Sequence, residues 1–153
     1  MKCIDLHGSA KFRTLEDFSL FPNLEKLILD NCSELLEIHP SIKHLKKLIL
    51  LSLNFCTSLE KLPEEINGLG SLQTLKLVCC KSLRCLEAEL LPSSLEMVYV
   101  NYCTSLTSFL DPLKPLNLQC SAACVDCFEL VKRQDSVLTA WTSFERHLQV
   151  FLE

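Results

Sequence analysis

The sequence predicts an α/β repeat solenoid: a curved stack of about five units of 23–24 residues, followed by a C-terminal helix. Three observations carry that expectation. Cys32, Cys56, Cys80 and Cys103 recur at intervals of 24, 24 and 23 residues. Each is preceded by two apolar residues in the spacing LxL, which puts both on one face of a short strand. Each is followed by apolar residues at every third position, which suits a short helical or irregular return.

Composition bounds the rest. The chain has 153 residues, enough for one domain, and is 48% apolar and 22% charged, so it can fold around a core. Fifteen Lys and Arg against nineteen Asp and Glu give a net charge of −4, which argues against a nucleic-acid partner. Three glycines (Gly8, Gly68, Gly70) leave no place for a Gly-rich phosphate loop. No apolar run reaches the roughly 18 residues that span a bilayer, so no membrane partner is expected. The opening residues lack the apolar core of a secretory signal, so the expected location is cytoplasmic, or nucleocytoplasmic, and the ten cysteines are expected as reduced thiols.

The first unit is partial: Met1, Ile4, Leu6, then Ser9 at the cysteine position, Phe12 and Leu15. The second reads Leu24, Leu27, Leu29, Cys32, Leu35, Ile38; the third Leu48, Leu51, Leu53, Cys56, Leu59, Leu62. The fourth reads Leu72, Leu75, Leu77, Cys80, Leu83, Leu86, and the fifth Leu95, Val98, Val100, Cys103, Leu106, Phe109. One unit cannot bury its own apolar edge, but a stack buries a continuous core. About six large side chains per unit, at roughly 1.5–3 kcal/mol each, offset the ordering entropy of four or five units. A cysteine just after the strand serves as a small buried hydrophobe with a weak S–H donor.

Pro112 and Pro115 mark the exit from the array, so the solenoid is assigned to 1–118 and a separate segment to 119–153. In that segment Leu138, Trp141, Phe144, Leu148 and Phe151 fall at helical spacing, with Ser136 as N-cap. This amphipathic helix is expected to cap the open end of the stack; docking on another protein, or the start of a further domain, are the alternatives.

The pattern LxxLxLxxCxxLxxLP, with Ser58–Leu83 and Leu91–Phe109 as its clearest stretches, resembles the leucine-rich repeats of plant intracellular TIR-NBS-LRR disease resistance proteins of the tobacco N type. The segment Cys124–Arg133 is similar to a short motif that follows the repeats in that class, with Asp126 and Glu129 departing from it. The resemblance implies a protein-recognition module of an innate immune receptor, with a pathogen effector, a guarded host protein or other domains of a parent receptor as partner. No Walker A sequence is present and there is no room for a TIR domain, so the chain is read as a fragment. The alternative is a stand-alone leucine-rich repeat scaffold or adaptor unrelated to immunity.

In a horseshoe of such repeats, the third, fifth and seventh positions of LxxLxLxxC line the concave face. The predicted binding residues are therefore Lys26, Leu50, Thr74 and Met97; Ile28, Ser52, Lys76 and Tyr99; and Asp30, Asn54, Val78 and Asn101. Apolar groups rimmed by polar ones mark protein interfaces. The basic run Lys43, His44, Lys46 and Lys47 reads as a solvated outer face.

Catalytic and cofactor chemistry find no support. The histidines (His7, His39, His44, His147) have no nucleophile at a motif-like spacing, and Glu64–Glu65 and Glu34–Glu37 read as solvated charges. Cys120, Cys124 and Cys127, with His147, are a conceivable zinc set, but only Cys124 and Cys127 have the paired spacing of a structural site. Packed thiols are the simpler reading. No enzyme activity, cofactor or metal is assigned. Asn31-Cys32-Ser33 is a glycosylation sequon expected to be silent.

Overall fold

The structure, a computed structural model, describes residues 1–9, 11, 13–15, 17–87, 90–109 and 121–123. Each unit supplies one three-residue strand to a parallel sheet: Cys3–Asp5, Lys26–Ile28, Leu50–Ser52, Thr74–Lys76 and Met97–Tyr99, in that spatial order. A further strand, Ser121–Ala123, continues the sheet beside Met97–Tyr99. The register is constant throughout: Ile4, Leu27, Leu51, Leu75, Val98 and Ala122 form one row across all six strands. Units of 23 and 24 residues thus align without a slip, and the extra residue is absorbed outside the strands.

The LxL pattern explains the core. Leu27 and Leu29, Leu51 and Leu53, Leu75 and Leu77, and Val98 and Val100 are completely buried. Cys32, Cys56, Cys80 and Cys103 sit behind them, followed by Leu35, Leu59, Leu83 and Leu106, all buried. From the outer side Ile42, Leu45, Ile66 and Leu69 close the same cluster. Ile4 and Leu6 of the first unit are only partly covered, because the described residues place a neighbour on one side of them.

The outer side corrects the α/β expectation. Among the described residues there is no α-helix. The returns contain 3-10 segments, Phe18–Leu20, Pro40–His44 and Glu64–Gly68, and two parallel pairs of two-residue strands, Thr14–Leu15 with Glu37–Ile38 and Cys85–Leu86 with Ser108–Phe109. Three to five residues are too few to repay the nucleation of an α-helix. A leucine at every third position also matches three residues per turn rather than 3.6. The short parallel sheet with 3-10 returns is consistent with leucine-rich-repeat-like units. The expected helix over Ser136–Phe151, and Cys120, Cys124 and Cys127, lie outside the described residues.

A second column appears at the residue before each cysteine position. Gly8, Asn31, Phe55, Cys79 and Tyr102 have φ of 71°, 59°, 62°, 60° and 63°. The chain must turn sharply there to send the cysteine inward, and the left-handed conformation does it. Glycine and asparagine adopt it readily; phenylalanine, cysteine and tyrosine adopt it at a cost of about 1–2 kcal/mol each.

Candidate protein-binding face

The strand residues that do not enter the core form the opposite face of the sheet. Lys26, Leu50, Thr74 and Met97 stand in one row and Ile28, Ser52, Lys76 and Tyr99 in the next. Lys26 is exposed, and Ile28, Leu50, Thr74, Lys76, Met97 and Tyr99 are half-buried. Asp30, Asn54, Val78 and Asn101 follow at the seventh position, also half-buried. The structure therefore brings all twelve sequence-predicted positions onto one continuous surface. Ser52 differs in exposure: it is buried, because its hydroxyl is drawn down onto a carboxylate.

That carboxylate belongs to Asp30. It accepts from the Ser52 hydroxyl at 2.7 Å, the Asn54 backbone N–H at 2.9 Å and the Asn54 side-chain amide at 3.4 Å. Asn54 repeats the motif one unit on, its Oδ1 accepting from the Val78 N–H at 3.0 Å. A seventh-position side chain thus caps the seventh-position N–H of the next unit. Val78 has no acceptor to offer Asn101, and the ladder stops there.

Lys76 occupies the middle of the face. Its ammonium lies 5.9 Å from the centroid of the Tyr99 ring, within reach of a cation–π contact. Among the described residues the ion pairs are Lys2–Glu25 (2.8 Å) and Arg13–Glu34 (3.9 Å); Lys26 and Lys76 are in neither, although the charge of Lys26 is felt by the neighbouring Glu25 carboxylate. The result is a mixed surface: apolar Ile28, Leu50, Val78, Met97 and Tyr99 beside the cations of Lys26 and Lys76 and the carboxylate of Asp30.

Behind the face the cysteines form their own ladder. The thiols of Cys32, Cys56, Cys80 and Cys103 donate to the carbonyls of Leu6, Leu29, Leu53 and Leu77 at 3.4, 3.1, 3.1 and 2.9 Å. Each accepting carbonyl belongs to the preceding unit. Burial pushes the Cys32 thiol above its ordinary value and the Cys56 thiol up to about 12. Cys80 is pushed up by its thiol contact with Cys103 and then by burial. Thiols held protonated in this way donate hydrogen bonds; they are poor nucleophiles and poor metal ligands. Among the described residues no group of three His, Cys, Asp or Glu side chains is placed to hold a metal ion. No helix among them is long and apolar enough to cross a membrane.

Sequence reasoning missed the left-handed column, and with it Phe55 and Tyr102, which are 46% and 45% exposed at the edge of the face. The available signal was Gly8 and Asn31, the residue types that favour positive φ, standing 23 residues apart.

No family model matches the chain. Curated relatives do match part of it. Disease resistance protein RPP4 of Arabidopsis thaliana is 40% identical over 67 residues, 44% of this chain and 6% of that protein. Disease resistance protein RPV1 of Vitis rotundifolia is 47% identical over 47 residues, 31% of this chain and 3% of that protein. TMV resistance protein N of Nicotiana glutinosa is 41% identical over 63 residues, 41% of this chain and 6% of that protein. The matched stretches thus amount to less than a tenth of the length of these relatives. Over those stretches the chain is homologous to plant TIR-NBS-LRR disease resistance proteins, the tobacco N protein among them.

Proposed function

We propose that this chain is a segment of a curved leucine-rich repeat solenoid that acts as the protein-recognition module of a plant intracellular immune receptor. It binds and does not catalyse, needs no cofactor, and works in the cytoplasm. The observation that carries the reading is the face centred on Leu50, Lys76, Met97 and Tyr99: apolar groups beside a lysine that is in no ion pair among the described residues, held on a sheet of constant register. The homology to disease resistance proteins supports the immune setting. Its occupant is a pathogen protein, a guarded host protein, or another domain of a longer receptor.

The test places a photo-crosslinking residue at Thr74 on this face, or at Lys43 on the outer side, and exposes each protein to plant leaf extract. A discrete adduct formed from Thr74 alone, and lost when Lys76→Glu is combined with Tyr99→Ala, is the expected result. Equal yields from both sides, or an adduct indifferent to the double substitution, would overturn the assignment. Circular dichroism of the double variant checks that the stack stays folded.

A further inference from the structure

We propose that Asn67 is a self-modifying site: the Gly68 nitrogen closes onto the Asn67 side chain, ammonia leaves, and the isoaspartate that results loosens the turn between two units. Asn67 and Gly68 end the 3-10 segment Glu64–Gly68. Of the six asparagines this one alone is followed by glycine; the others precede Leu, Cys, Phe or Tyr. Asn67 is exposed, and its amide makes no hydrogen bond among the described residues. The side chains of Asn23, Asn31 and Asn54 are each engaged, by Lys47, His7 and Asp30 respectively.

The fold does not require the glycine. Unlike Gly8, it is not at positive φ. A Cβ there would meet only the Lys46 Nζ, at an ordinary 3.6 Å. The preceding unit builds the same turn over Pro40–His44, with Lys43 and His44 at the places of Asn67 and Gly68. In both, the cap N–H returns to a buried isoleucine, Leu45 to Ile42 and Leu69 to Ile66. What glycine supplies is an attacking nitrogen with no side chain beside it, on a backbone free to bring it round.

Solvent hydroxide takes the Gly68 amide proton. The nitrogen bonds to Asn67 Cγ, the Cγ–Nδ2 bond breaks, and ammonia leaves with a proton from water. Water then opens the cyclic imide. Cleavage between the nitrogen and Cγ gives aspartate; cleavage between the nitrogen and the main-chain carbonyl carbon leaves the chain running through Cγ, which is isoaspartate. Nothing is oxidised or reduced, and water is the co-reactant. The attack requires Asn67 to rotate out of the turn, which a short exposed 3-10 segment with poor hydrogen-bond geometry permits. The product cannot close the turn as before. The Leu69 N–H donates to the Ile66 carbonyl at 3.1 Å across the Asn67–Gly68 peptide. Lys46 Nζ, from the preceding unit, donates to the Gly68 carbonyl at 3.1 Å. Isoaspartate inserts one more backbone atom between Ile66 and Leu69, both completely buried.

The test holds the full chain for days at mildly alkaline pH with a thiol reductant, then digests it. The Leu62–Lys76 peptide is weighed and probed with an isoaspartate methyltransferase. Asn67 is expected to convert first among the asparagines, chiefly to isoaspartate. Gly68→Ala, and Gly68→His after the preceding unit, should each slow conversion about tenfold or more and leave the fold intact. The aged wild-type chain should unfold at a lower urea concentration than the fresh chain, while Gly68→Ala aged alongside keeps its midpoint. Asn67→Asp, which adds no backbone atom, should match the fresh wild type. Absence of conversion at Asn67, or a rate indifferent to both Gly68 substitutions, would overturn the site. An aged wild-type chain with the midpoint of the fresh one would overturn the loosened turn.

Discussion

Cys56 illustrates what one residue contributes. Its thiol is completely buried, donates to Leu29 of the previous unit, and is pushed up from its ordinary value of 9.0 to about 12. An unfolded chain releases that proton near the ordinary value while the folded chain keeps it. The stability this supplies is full below about pH 9 and is lost as pH rises toward 12, at up to about 1.4 kcal/mol per pH unit per thiol. Urea midpoints measured from pH 8 to 11 should therefore fall more steeply for the wild-type chain than for Cys56→Ala. Parallel curves would remove Cys56 from the account. The cysteine column was legible in the sequence because an apolar environment fixes both spacing and residue type. The left-handed column beside it was not, since Phe55, Cys79 and Tyr102 are the wrong types for positive φ and only the tertiary turn imposes it.

The elements are tied together by side chains reaching one unit along. Asp30 serves Asn54, Asn54 serves Val78, and the series ends because valine cannot accept. Val78→Asn restores an acceptor opposite the Asn101 N–H and should stabilise the chain by about 0.5–1.5 kcal/mol, the usual net worth of such a bond. A raised urea midpoint at unchanged m would bear this out; an unchanged or lowered midpoint would mean the apolar contact of Val78 matters more. On the outer side Ser41 accepts the buried Phe18 N–H at 2.9 Å, the same device turned toward the preceding unit. Strand positions could be read from LxL because its period of two admits one geometry. The returns could not, since a leucine at every third residue suits 3-10 turns, two-residue strands and irregular chain alike. The structure uses all three, at Pro40–His44, at Cys85–Leu86 and at Leu59 and Leu62, which lie in no regular element.

At the scale of the whole molecule the units are interchangeable in register. Removing residues 50–73 joins Ile49 to Thr74, which replaces one second-to-third-position junction by another of the same kind. The shortened chain should fold, with an m-value reduced in proportion to the surface no longer buried. Removing only residues 50–61 breaks the register and should abolish the cooperative transition. The constant register also dictates how the molecule meets force. The sheet's hydrogen bonds run along the stack, so tension between the two ends loads them in series and peels units from an end one at a time. Each peeled unit releases 23–24 residues, about 8 nm of extended chain at ~3.5 Å per residue. Such a stack yields as a soft ratchet of equal steps, with a separate rupture for each unit.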